Sequence, residues 1–195
     1  MNKEPFSPII RRPGLELRMP IATLEYAATM FEVLQRNEFF YPMRQSLIKL
    51  KSPEDCLWLI TKRLSDNVAQ TDAYYDIVKS GVYVGEIYAR DIDYKNMTVK
   101  NLGYFVDGAH QGNGIATAAV NALTDYMFLR GIKQIYLFTH YFDPAKKNKA
   151  SDCVAEKCNF RFIRLKHDAF NDILDGRAAT ERMYIKTNPA LDHPR

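Results

Sequence analysis

A chain of 195 residues is long enough for one substantial core and short for two. With 47% apolar and 26% charged residues it is composed like an ordinary globular protein, and no apolar run approaches the roughly 20 residues that span a bilayer. A net charge of +4 without a Lys/Arg block argues against a nucleic-acid binder and suits an anionic small molecule or an acidic partner surface.

Residues 1–14, MNKEPFSPIIRRPG, are rich in Pro and Arg and read as an irregular arm. They lack the apolar stretch of about 7–15 residues that marks a secretory signal, so the expected compartment is cytoplasmic. Leu15 to Met19 alternate and predict a first strand. Leu24, Ala27, Ala28, Phe31 and Leu34 share one face of a helix over 23–36, which Pro42 stops from continuing. Ser52, Pro53 and Asp55 form a helix-start signal, after which Leu57, Ile60, Leu64 and Val68 recur at helical spacing. Residues 73–106 are rich in Tyr, Val and Ile and broken at Ser80-Gly81 and 93–96; they predict three antiparallel strands, near 73–79, 82–90 and 97–106. An amphipathic helix follows from Ile115 to Met127, closed by Gly131 in a left-handed cap. KQIYLFTH reads as a central strand covered on both faces. A short helix near 148–158 and strands near 160–166 and 180–187 complete a mixed α/β sandwich with one core.

Three cysteines, Cys56, Cys153 and Cys158, with no zinc-ligand spacing read as packing residues. No metal is expected.

The segment VDGAHQGNGIATAAV (106–120) places Gly108, Gly112 and Gly114 just ahead of a helix. Glycine is costly to order, so a cluster there needs a reason. The first N–H groups of a helix have no internal partner and sit at the positive end of its dipole; glycines let them reach an oxyanion, with pyrophosphate the natural guest. A nucleoside-triphosphate loop would need Lys-Ser or Lys-Thr after the last glycine, and a dinucleotide fingerprint would need glycine where Thr117 stands. Both fail.

Gln111-Gly112-Asn113-Gly114-Ile115-Ala116 matches [RQ]-x-x-G-x-[GA], the acetyl-CoA loop of the GNAT acyltransferase superfamily. NLGYFVDGAHQGNGIATAAVNALTDYMF resembles, without gaps, the ribosomal-protein (N-terminal) acetyltransferase branch, which typically runs EIGYWLAPEYQGKGYMTEA. NKASDCVAEKCNF resembles that branch's N-x-x-S-x-x-x-x-E-K-x-G-F helix. The resemblance spans roughly 10–187 and is specific in the second half. It implies an α+β GNAT domain over 15–190: a mixed, mostly antiparallel sheet with a splayed central strand pair and helices on both faces. Acetyl-CoA is the implied cosubstrate. Backbone amides of Gln111 through Ala116 would cradle its pyrophosphate, Phe105 and Val106 would bond the pantetheine arm, and the Val106 N–H would hold the thioester oxygen. Asn148 matches an Asn that contacts the pantetheine, although the loop before it is two residues longer than the family usually has. Asn159 stands where the family has Gly.

The resemblance also exposes two departures. Relatives often carry a basic Glu where this chain has Asn101, and many carry an acidic Tyr where it has Ala155. Ser151 remains as the proton donor to the leaving thiolate, against the plainer reading of a first-turn Ser that bonds backbone. Glu86, expected to face the cleft, is a substitute base, against a partner for some Lys or Arg; His140, at the end of its strand, is another. His110 reads as a solvent-facing loop residue, and Cys153 has no adjacent His to activate it. The expected reaction is direct transfer of acetyl to a primary amine, first a protein or peptide N-terminal α-amino group. A small-molecule amine such as a polyamine or antibiotic, and a non-catalytic acyl-CoA-binding module, are the alternatives. Phe39, Phe40, Tyr41 and Arg44 would line the acceptor face, in a monomer or homodimer that binds no membrane or nucleic acid.

Overall fold

The computed structural model describes residues 4–37, 50–142, 148–171 and 176–191. Its strands are β1 (Ile9–Arg12), β2 (Leu15–Arg18), β3 (Ala73–Lys79), β4 (Val82–Asp93), β5 (Thr98–Val106), β6 (Gln134–Tyr141), β7 (Arg161–Lys166) and β8 (Thr180–Thr187). Its α-helices are α1 (Leu24–Gln35), α2 (Pro53–Ala69), α3 (Ile115–Leu129) and α4 (Lys149–Lys157). The sheet runs β1-β2-β3-β4-β5-β6-β8-β7, with every pair antiparallel except β5–β6.

The expected helix signals operate as read. The Ser52 side chain accepts from the Asp55 N–H at 3.2 Å, and the Asp55 carboxylate reaches back to the Lys51 N–H at 2.7 Å. Gly131 (φ +88°) and Asn159 (φ +59°) take the left-handed conformation expected of them after α3 and α4. One reading is corrected. Residues 9–12, expected within an irregular arm, form β1, because Gly14 (φ +71°) turns the chain tightly enough to pair Arg12 with Leu15. Phe6, also in that arm, is buried in the core.

Two apolar layers lie on opposite faces of the sheet. On one, Ile115, Ala119 and Leu123 of α3, with Ala155 and Cys158 at α4, pack on Tyr75, Ile87 and Leu102. On the other, Met30 and Leu34 of α1 and Cys56 and Ile60 of α2 pack on Tyr83 and Phe105. Burial pushes the Cys56 and Cys158 thiols up to about 11, consistent with their packing role. Cys153 departs from that reading and is exposed.

The pairing between β5 and β6 decides where a site can form. It runs Thr98↔Gln134, Val99↔Ile135 and Leu102↔Leu137, then stops. Beyond it the ends of the two strands, Gly103–Val106 and Phe138–Tyr141, diverge. This is the splayed central pair expected from the sequence.

Candidate active site

The divergence opens a cleft of about 440 Å³, lined by β5 from Asn101 to Val106, the loop and first turn of α3, Phe138 to His140 of β6, and α4. The Asp107 N–H donates to the Val84 carbonyl on β4. Backbone groups alternate sides along a strand, so the N–H and C=O of Val106 turn away from β4 and into the gap. The Gln111 amide caps that carbonyl at 2.9 Å, which leaves the Val106 N–H as the donor facing the cleft.

The glycine loop has the form a pyrophosphate requires. Gly112 and Gly114 have φ of +78° and +72°, and a Cβ on either would meet open space. The limit on these positions is therefore backbone conformation and the room above it, not a packed neighbour. Gly114 is the N-cap of α3 and offers no side chain to its first amides, so those N–H groups point outward unpaired by any cap. Gln111, Gly112, Gly114, Ile115 and Ala116 line the cleft. Asn113 does not: its amide donates to the carbonyls of His110 and Gln111 and braces the turn. Ile115 anchors α3 in the core through its side chain, so only its backbone serves the cleft.

The sequence model of the family described as "Acetyltransferase (GNAT) domain" matches residues 15–161. The chain belongs to the GNAT family. Solved structures agree in fold. RimL, the ribosomal L7/L12 α-N-protein acetyltransferase in complex with coenzyme A, superposes with a TM-score of 0.82 at 21% identity, covering 93% of this chain and 99% of that one. The microcin C7 self-immunity acetyltransferase MccE, in complex with acetyl-CoA and AMP, gives 0.78 at 22% identity over 90% and 93%. The ribosomal-protein-S5-alanine acetyltransferase of Vibrio fischeri gives 0.73 at 19% identity over 93% and 97%. Among curated proteins none matches the chain. The GNAT chain is thus an acetyl-CoA-dependent N-acetyltransferase, with acetyl-CoA as cosubstrate.

In this GNAT fold α4 is fixed by Asp152, whose carboxylate accepts from Thr139 at 2.6 Å, Tyr184 at 2.9 Å and Arg182 at 2.9 Å. That holds the neighbouring Ser151 at the cleft wall. Asn148 lines the cleft and also caps α4, its Oδ1 accepting the Ser151 N–H at 3.2 Å.

Glu86 is placed differently from expectation. It is 3% exposed, bonds Arg63 of α2 at 2.6 Å and is not among the residues lining the cleft. A carboxylate on a strand covered by a helix needs a counter-charge from that helix. His110 is likewise tied down, its Nδ1 lying 3.0 Å from the Asp107 carboxylate. Phe39, Phe40, Tyr41 and Arg44 lie outside the described residues.

Two features went unread in the sequence. Asp107, 1% exposed, bonds Arg36 at 2.5 Å, Asn37 at 2.8 Å and His110. Asn37 in turn accepts the Gly108 N–H at 2.7 Å. The end of α1 is thereby clamped to the start of the glycine loop. Burial disfavours the Asp107 charge, but the hydrogen bonds from Arg36, Asn37 and His110 outweigh it and hold the carboxyl well below its usual range. The second feature is Tyr104, whose buried hydroxyl makes no well-aligned hydrogen bond and stands beside Ser151. Burial pushes this phenol up to about 12, so it stays protonated. Asp107 gave no local signal because Arg36 and Asn37, which hold it, lie 71 and 70 residues before it.

Proposed function

We propose that the protein acetylates the N-terminal α-amino group of a protein or peptide. The observation that carries this reading is the gap-free likeness of residues 101–128 to the ribosomal-protein branch, the segment that forms the cleft wall and its loop. By their names, RimL is a ribosomal L7/L12 α-N-protein acetyltransferase and the Vibrio fischeri enzyme a ribosomal-protein-S5-alanine acetyltransferase.

In this reading the amides of Gln111 through Ala116 hold the pyrophosphate. The pantetheine lies along Phe105 and Val106 and completes the gap that β6 leaves. The Val106 N–H bonds the thioester oxygen and stabilises the charge that develops there. Asn148 meets the pantetheine arm from α4. Ser151 donates the proton that the departing thiolate takes up, with the Tyr104 hydroxyl behind it. Glu86 and Arg63 hold α2 against the sheet.

A small-molecule amine is the second reading, and MccE, solved with acetyl-CoA and AMP, favours it. Release of free CoA from acetyl-CoA against a panel of N-terminal peptides, polyamines and aminoglycosides separates the two. Turnover at least tenfold faster with peptides supports the α-amino reading, and turnover confined to small amines overturns it.

A further inference from the structure

The departures in the sequence leave this GNAT cleft with no base at Asn101 and with Glu86 paired away. An acceptor amine arrives as an ammonium without a lone pair, so some group on its side of the cleft must take a proton. The side is fixed by the strands. Thr139 bonds Asp152 of α4, and alternation along β6 then turns His140 to the opposite face. Asn101 and Phe105 share a face of β5, and Phe105 packs against the layer of α1 and α2. His140 therefore faces the same side as Asn101, across the cleft from Ser151.

Among the described residues, six titratable ones line the cleft: Tyr88, Tyr104, His110, His140, Cys153 and Lys157. Tyr104, Cys153 and Lys157 belong to the α4 side. His110 is bonded to Asp107 beside the pyrophosphate loop. Tyr88 is a phenol, a poor base near neutral pH. His140 has the geometry of a held base. Its Nε2 lies 3.1 Å from the Glu181 carboxylate, directly across the strand pair on β8. The Phe170 ring meets it edge to face at 5.1 Å. Its side chain keeps about 26% of its surface exposed, and among the described residues Nδ1 has no partner. The hydrogen bond from His140 holds Glu181 below its usual range, so Glu181 is an anion that fixes the Nε2–H tautomer.

We propose that His140 is the general base of the transfer and that Glu181 is the residue that positions it. The ammonium gives one proton to Nδ1. The freed lone pair attacks the thioester carbon, the C–N bond forms and the C–S bond breaks. As the C–S bond breaks, Ser151 gives its proton to the thiolate and is reprotonated by the second proton leaving the nitrogen, and His140 returns its own proton to solvent. The products are amide, free CoA and H⁺. This inference rests on amine acetylation, not on which amine is used.

The test is His140→Ala and Glu181→Gln, assayed with whichever acceptor the native enzyme turns over best. A failure of the peptide reading therefore leaves this test intact. For His140→Ala the expected loss in kcat/KM for the acceptor is about 100-fold, with acetyl-CoA affinity unchanged and the rate partly restored by added imidazole. Glu181 is the titratable group that touches His140 among the described residues, with Lys166 and Arg164 beside it in turn. Glu181→Gln is expected to lower kcat about tenfold with KM for acetyl-CoA unchanged, because the ring is no longer held by a carboxylate in its Nε2–H tautomer. Should His140→Ala lose acetyl-CoA binding, that split between kcat and KM decides alone. A loss under threefold, a loss that imidazole does not reverse, or an unchanged kcat in Glu181→Gln overturns the proposal.

Discussion

The two walls of the cleft are made of different material. The loop wall, from Val106 to Ala116, presents backbone amides that glycine exposes and a helix start aligns. The facing wall presents side chains, Asn101 from β5 and His140 from β6, with Glu181 of β8 behind it. Backbone recognition suits a ligand that does not vary between relatives, since amides have one chemistry and only their placement matters. Side-chain recognition is free to change with the acceptor. The resemblance read from the sequence covers the loop wall, and its departure at Asn101 falls on the other wall.

If the loop wall is positioned from outside, breaking its support should cost more than altering the chemistry it faces. The clamp gives the largest expected effect. Asp107→Ala leaves the buried Asn37 amide without its acceptor while half-exposed Arg36 turns to solvent, and losing the hydrogen bonds to a buried carboxylate costs about 3 kcal/mol, a fall in Tm of roughly 6–12 °C for a chain of this size. The sign with pH follows from its low folded-state range. Its contribution is present above the unfolded carboxylate's value of about 4 and is lost as pH falls toward the folded one. Thermal melts should therefore show native protein and variant converging in acid, and a constant gap would place the effect elsewhere.

Gly114→Val comes next. With acetyl-CoA at 100 times Kd, ligand linkage adds about 2.7 kcal/mol, a rise of roughly 5–10 °C. The variant is expected to lose that rise, since a β-branched residue disfavours φ near +72° and its methyls fill the cradle. A full rise in the variant would move the pyrophosphate to another place. The smallest effect belongs to Ser151→Ala. We expect kcat to fall roughly tenfold, about 1.4 kcal/mol, with acetyl-CoA affinity retained; a fall in affinity alone would make Ser151 part of the binding surface.

The same contrast explains what could be read from the chain. Strand and helix order followed from periodicity, and Ser52, Gly131 and Asn159 marked their ends because caps are local. The splay at Leu102 was legible only through likeness to relatives, since no local pattern records where two parallel strands stop pairing. β1 was hidden because Ile9–Arg12 is short and flanked by prolines, and only its hairpin partner makes it a strand. Of the two readings of Glu86, the structure holds the pairing with a basic residue, whose identity as Arg63 the sequence hid because it lies on a helix 23 residues away. Asp107, Tyr104 and the His140–Glu181 pair join residues far apart in sequence, which spacing cannot reveal.

Amide hydrogen exchange, with and without acetyl-CoA, tests most directly that the gap in the sheet is filled by the pantetheine and its loop by the pyrophosphate. Binding should slow exchange at Val106 and at Gly112 through Ala116, and leave β1 and β7 unchanged. Equal exchange at Val106 in both states, with protection elsewhere, would contradict it.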